Sequence, residues 1–270
     1  MAYRADIYHL INSTEYEYKF AGRYGAKGEK RSKRQKITPE QVARQNKINR
    51  INKMRRLIKA NFMPGDIWLT LKYPVNTRKE LQDVRKDVEK FRNRMKRDYK
   101  KRGGEEFKWI QRIEIGKRGG LHVHMLINAV CGVDLLIMKN WDYHYNMTSL
   151  YDNGDYKQLA SYIVKDIPED CEHEQLNLFG EDKKQVMKYS SSRNLIRPVP
   201  ERKEYVRRTM KELILNGPRP REGFYIDKES IRIGINQSGY SYVYYTEIRI
   251  KKIKRVIKQP PDGREGEIWK

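Results

Sequence analysis

An α+β fold, built on an antiparallel sheet with one apolar and one polar face, is what the sequence predicts, and three observations predict it. "DIWLTLKYP" at 66–74 is a short β-rich run closed by a proline, with Thr70 and Lys72 at the opposite parity from Ile67, Leu69 and Leu71. From Arg78 to Arg102, Leu81, Val84, Val88, Phe91 and Met95 step by threes and fours before Gly103-Gly104, the pattern of a long helix that packs on a sheet. "FKWIQRIEI" (107–115), a glycine-rich turn "GKRGG" and "LHVHMLIN" (121–128) then read as a hairpin.

Ahead of these elements, "GRYGAKGEKRSKRQK" at 22–36 is too polar to fold alone, and reads either as an arm that orders on a partner or as a solvated loop. Thr38-Pro39-Glu40-Gln41 carries an N-cap, a first-turn proline and a capping-box glutamine. Ile48, Ile51, Leu57, Ile58 and Phe62 continue at helical spacing, so a basic amphipathic helix is expected to end near Asn61.

The hairpin carries the chemistry. Alternate residues of a strand share a face, so His122, His124, Leu126 and Asn128 point one way, and Val123, Met125 and Ile127 the other. With the turn centred near Arg118, Glu114 lies across from His122 and Arg112 from His124, while Ile113 and Ile115 join the apolar face. Two imidazoles and a carboxylate on one polar face offer three ligands to a divalent metal and leave positions open for water or substrate. A histidine-triad nucleotide hydrolase would need a third histidine where Leu126 stands.

Further on, "DNGDYKQLASYIVKDIPED" predicts a turn, a cap at Asp155 and a helix stopped before Pro168. Tyr156, Leu159, Ala160, Ile163 and Ile167 form its apolar stripe, from which Tyr162 and Lys165 both fall away. Spaced by three, they share a helix face and can reach one phosphate. A tyrosine oxygen can attack phosphorus while a nearby cation steadies the developing charge. Residues 168–185 read as an acidic loop, in which Cys171 and His173 are solvated rather than metal-binding. A helix is expected over 201–216, a tyrosine-rich hairpin over 229–250 around Asn-Gln-Ser-Gly, and a tail at the end. The corresponding division is a basic arm and helix (1–61), a central domain (62–198), a helix and hairpin extension (199–257) and a tail (258–270).

Composition narrows the partner. Lys and Arg number 58 against 35 acids, a net charge of +23, and 19 tyrosines are interleaved with them. Such a surplus attracts phosphates, and aromatic faces can stack bases, so the expected partner is nucleic acid. Two cysteines exclude a disulfide framework, no run is apolar enough to span a bilayer, and no phosphate-cradling G-x-x-x-x-G-K-S/T loop is present. The expectation is a soluble intracellular protein without a membrane partner.

Taken in order, "WLTLKYP" (68–74), His122-Val123-His124 and Tyr162-Ile-Val-Lys165 resemble the three motifs of HUH-family (histidine, hydrophobe, histidine) rolling-circle replication initiators. The glutamate in "IEIGKRGGLHVH", Trp141 and "SSSRNL" (190–195) are further similar to replication proteins of phage, plasmid and integrative elements of low-GC bacteria. The resemblance covers roughly residues 38–198. It implies a central antiparallel sheet with helices on one face, the triad Glu114, His122 and His124 on the other, and the tyrosine helix beside it.

By the same resemblance Tyr162 nicks a single-stranded or hairpin origin, keeps the 5′ phosphate as a phosphotyrosine and releases a 3′ hydroxyl. Lys165 positions the tyrosine and phosphate. Thr70, Lys72, Arg112, Lys117, Arg118 and Arg193 are expected to meet DNA. Magnesium or manganese is the implied cofactor, with zinc less favoured although the ligands suit it. A host helicase and DNA polymerase are the implied partners, in the cytoplasm of a bacterial cell. Leu159 and Asp166 stand where a second nucleophilic tyrosine would be, so a single-tyrosine enzyme is expected. Three readings stay open beside this one: a single-tyrosine transposase, a relaxase, and a non-catalytic RRM-like binder of single-stranded nucleic acid.

Overall fold

The computed structural model describes residues 3–21, 38–74, 76–77, 79–102, 106–116, 120–151, 155–165, 189–205, 210–236 and 240–255. The basic 22–36 segment, Lys117 and Arg118, the acidic loop with Cys171 and His173, and the 258–270 tail lie outside these residues. In chain order the first elements are β1 (Tyr3–His9), β2 (Ser13–Phe20), α1 (Pro39–Asn61), β3 (Ile67–Lys72), α2 (Leu81–Lys101), β4 (Trp109–Ile115) and β5 (Leu121–Ile127). They are followed by α3 (Val133–Asn140), β6 (Tyr145–Ser149), α4 (Lys157–Ile163), β7 (Ser190–Ser191), β8 (Glu201–Tyr205), α5 (Lys211–Asn216), β9 (Phe224–Ile235) and β10 (Ser241–Arg249).

These elements form two compact units, Asn61–Leu195 with Lys254–Lys270, and Met1–Ala60 with Ile196–Ile253. Each holds one five-stranded antiparallel sheet, so the α+β class expected from the sequence is the one found.

In the first unit the strand order is β6-β3-β5-β4-β7. The central strand β5 pairs with β4 in the register that side-chain parity required, Glu114 opposite His122 and Arg112 opposite His124. On its other side β3 sets Thr70 opposite His124 and Lys72 opposite His122. The apolar parity of the three strands (Leu69, Leu71, Ile113, Val123, Met125) packs against Val84, Val88, Phe91 and Met95 of α2 and Leu136 and Ile137 of α3. Burying one such side chain contributes about 1.5–3 kcal/mol, which fixes the register because a one-residue slip would expose the whole set. Asp66, 0% exposed, accepts from Arg255 at 2.9 and 3.0 Å and from the Ala129 and Met63 amides, each at 2.8 Å. That network ties residue 255 to the start of β3.

In the second unit the order is β8-β1-β2-β10-β9, so the two ends of the chain share one sheet. One face is apolar, with Ala5, Ile7, Tyr16, Val243 and Tyr245 at its core and Leu213 and Ile214 of α5 packed on them. Tyr16 stacks on Tyr245 at 4.6 Å and Tyr3 on Tyr205 at 4.8 Å. The other face is ionic. Glu15 meets Arg55 (2.7 Å), Arg56 (2.8 Å) and Lys59 (3.3 Å) of α1. Burial alone would raise the Glu15 carboxyl, but Arg55, Lys59 and Arg56 hold it below its ordinary range.

Helix α1 begins with the expected capping box: the Thr38 amide donates to Gln41 Oε1 and the Gln41 amide to Thr38 Oγ1. Two expectations are corrected. Residues 201–216 are not one helix: 201–205 form β8, drawn into extended pairing with the otherwise open edge of β1, and only Lys211–Asn216 is helical. The tyrosine helix is also shorter than Asp155 to Pro168. Tyr156 adopts φ 49° at its start, and the regular turn ends at Ile163. Among the described residues no helix is long and apolar enough to cross a membrane.

Candidate active site

Strand alternation delivers three ligand groups to one spot. His122 and His124 leave β5 on the face opposite the core, and Glu114 leaves β4 beside them. One ligand atom from each lies within 4.8 Å of the others. Glu114 Oε2 is 3.3 Å from His124 Nε2 and 3.8 Å from His122 Nε2. The imidazoles meet edge to face, with centroids 4.8 Å apart.

The electrostatics suit metal ligation, which needs an ionised carboxylate and neutral imidazoles. Hydrogen bonding from His124 draws the Glu114 carboxyl down to about 2; burial opposes this, and the Tyr162 hydroxyl adds to it. Burial pushes the His122 imidazole below its ordinary value, helped by His124. Thr70 Oγ1 lies 3.1 Å from His124 Nδ1. With Nδ1–H donated to that hydroxyl, Nε2 presents its lone pair to the cluster. Glu114, His122 and His124 therefore fit a divalent ion by donor type, convergence and protonation.

Helix α4 brings the tyrosine to the same spot. The Tyr162 hydroxyl donates to Glu114 Oε2 and lies 2.7 Å from His124 Nε2. Burial raises its phenol above the ordinary range, and the bond to the Glu114 carboxylate raises it further. Trp68, at the same parity of β3 as Thr70, stacks on His124 at 5.5 Å and 7° and meets Tyr162 edge-on at 6.0 Å. The indole thus backs both rings.

Arg112, assigned to DNA from the sequence, is only 2% exposed. Its Nη1 donates to the carbonyl oxygens of Tyr162 (3.3 Å), Ile163 (2.8 Å) and Lys165 (2.6 Å). A guanidinium there answers the negative end of α4 and satisfies carbonyls the helix leaves unpaired. Arg112 therefore anchors the tyrosine helix to the strand that carries Glu114.

Lys165 lies past the last helical turn and is exposed, its amide bonded to the Tyr162 carbonyl at 3.3 Å. The shared helix face expected for Tyr162 and Lys165 is replaced by a tight turn. Thr70 reaches the site through His124, Lys72 is exposed beside His122 on the neighbouring strand, and Arg193 is exposed after β7. The sequence reading missed Trp68 as a ring support and Thr70 as the partner of His124. Their parity, shared with Lys72 on β3, was the available signal.

Residues 66–170, less than half of the chain, match the family described as Replication-associated protein ORF2. The match contains β3, the triad and Tyr162, and it is consistent with a rolling-circle replication initiator, the resemblance drawn from the motifs. No curated protein and no solved structure matches the chain.

Proposed function

We propose, from the replication-associated match and the geometry it encloses, that this chain initiates rolling-circle replication by nicking and rejoining single-stranded or hairpin origin DNA through Tyr162. The observation that carries the reading is the Tyr162 hydroxyl bonded to Glu114 and within 2.7 Å of His124, two members of the candidate metal triad. A structural tyrosine has no need of a carboxylate and an imidazole at its oxygen. A transesterifying one needs an acceptor for its proton and a site where phosphate charge is balanced.

Tyr162 Oη attacks phosphorus, its proton passes toward the Glu114 carboxylate, the bond from phosphorus to the 3′ oxygen breaks, and that oxygen takes up a proton. One phosphodiester is exchanged for another, so rejoining needs no external energy source. Glu114, His122 and His124 would hold a divalent ion, magnesium or manganese in preference to zinc, whose chemistry when bound is withdrawal of charge from a non-bridging phosphate oxygen. Trp68 and Thr70 hold His124 in place, and Arg112 holds the backbone of Tyr162. Lys165, Lys72 and Arg193, exposed around this face, and Lys117 and Arg118 of the hairpin turn supply cations to the strand being cut. Residues 62–198 form the nicking domain in this reading. The freed 3′ hydroxyl primes a host polymerase, with a host helicase opening the duplex, in the bacterial cytoplasm.

The test is a denaturing gel of the protein and its Tyr162→Phe variant after incubation with labelled single-stranded DNA and manganese. Label is expected to stay on the protein only when Tyr162 is present, while single-strand binding is nearly unchanged in the variant. Capture by the phenylalanine protein, or equal loss of capture and binding, overturns the assignment.

A further inference from the structure

The first half of α1 presents a surface that the nicking site does not use. Every residue from 39 to 50 is exposed, about 18 Å of helix by the α-helical rise. The second half is held down: Met54, Leu57 and Ile58 are buried, and Arg55, Arg56 and Lys59 are engaged by Glu15 and Glu17. The exposed half is a formed helix, started by the Thr38–Gln41 capping box and braced by Gln45 donating to Asn49 at 3.0 Å.

Its side chains exclude most occupants. The buried stripe Ile51, Met54 and Ile58 continues toward the N-terminus, at spacings of four and three, as Lys47 and Arg44. A helix meant to pair with a second copy would keep that seam apolar. A helix meant to lie on a membrane would need an apolar face, and only Val42 and Ile48 interrupt the polar residues here. Past Glu40 the helix contains no acid, while Arg44, Lys47, Arg50 and Lys53 recur every third residue. That charge calls for a polyanion. No aromatic residue lies between 38 and 53 to stack unpaired bases, which disfavours a single strand at this surface.

A duplex fits. A helix about 10–12 Å across enters a major groove about 12 Å wide, where arginine and lysine contact guanine or phosphate and the amides of Gln and Asn pair with adenine. Gln45, Asn46 and Asn49 are exposed between the cations for that purpose. We propose that residues 39–53 form a recognition helix that docks in the major groove of double-stranded DNA, reading duplex sequence separately from the single strand cut at Tyr162. The proposal rests on the nicking reading only for the identity of that DNA as the origin flank.

The test measures anisotropy of labelled duplex and single-stranded oligonucleotides with full-length protein across a salt series. It compares Arg44→Gln/Lys47→Gln/Lys53→Gln with wild type, both in a Tyr162→Phe background so that no strand is cut. Glutamine keeps helix propensity close to that of the residues replaced, and circular dichroism verifies the fold. Three lost phosphate contacts should weaken duplex binding at least tenfold at moderate salt and lower the salt slope by roughly 2.7, at about 0.9 per contact. Single-strand affinity should stay within about twofold, because the site around Tyr162 is untouched. Selection from a random duplex library with Gln45→Ala/Asn49→Ala should change the preferred sequence. Unchanged duplex affinity, equal weakening for duplex and single strand, or an unchanged preference overturns the recognition helix. Failure of the wild-type tyrosine to capture DNA overturns the nicking reading alone.

Discussion

Replacing Arg112 by methionine tests whether the tyrosine is placed by its own short helix or by the strand beneath it. Methionine fills similar space but removes a buried cation that donates to three carbonyl oxygens at 2.6–3.3 Å. Hydrogen bonds from a charged donor contribute about 1.5–3 kcal/mol, and a cation at a helix C-terminus a further ~0.3–1 kcal/mol. Helix α4 has seven residues, far below the ~12–15 that sustain an isolated helix, and only Ala160 and Ile163 within it are buried. A loss of about 3 kcal/mol at that end is therefore expected to release the helix and carry the Tyr162 hydroxyl away from Glu114 and His124. At about 1.4 kcal/mol per factor of ten, covalent capture of a labelled strand should slow by roughly a hundredfold in a single-turnover assay. Manganese affinity, followed by electron paramagnetic resonance, should change little, because the ligands are held by β4 and β5 rather than by α4. Arg112→Lys keeps one donor and should recover part of the rate. Capture at the wild-type rate by the methionine variant, or a parallel collapse of metal affinity and capture, would refute the reasoning.

Three other perturbations reach different parts of the structure. Thr70→Val removes the hydroxyl that fixes His124 Nδ1 and should weaken divalent-metal binding about tenfold by calorimetry; an unchanged affinity removes Thr70 from the site. Glu114 is held at about 2, below its ordinary 4.5, so its contribution to stability is present above pH 4.5 and fades as pH falls toward 2. Thermal melts in chelator should show that acid loss in wild type and a flatter profile in Glu114→Gln; identical profiles contradict the depressed value. Asp66→Asn removes the charge facing the buried Arg255 and should cost about 3–5 kcal/mol in urea unfolding, whereas a loss below about 1 kcal/mol would show that the pair is not a structural tie.

Much of the site is legible in the sequence because it depends on short-range periodicity. Side-chain parity in "LHVHMLIN" and "WIQRIEI" separates the ligand face from the core face, and a two-stranded turn fixes which residues stand opposite each other. The threes and fours of Leu81 to Met95, and the capping box at Thr38, are likewise local and appear in the structure within a few residues of where they are expected. What parity does not carry is the identity of a neighbour on a different element. Trp68 behind His124, Thr70 on its Nδ1 and Arg112 under α4 emerge only once three strands and a helix meet.

Tertiary structure also decided the second sheet. Strands β1 and β2 escape recognition because Glu15, Glu17 and Asp6 sit where an apolar face would be expected, and they are buried by ion pairs with distant cations. Residues 201–205 have no strand signature of their own and become β8 by pairing with residues 3–7, nearly two hundred positions earlier in the chain. In the same way Arg112 reads as a surface cation until α4 closes over it. The sequence by itself determined the two-faced hairpin, the order of its motifs and the charge that selects a polyanion, since each follows from periodicity or composition. Only the tertiary structure decided which end segments share a sheet, where the tyrosine helix stops and which cation supports it, because those outcomes depend on pairing and burial between residues far apart in the chain.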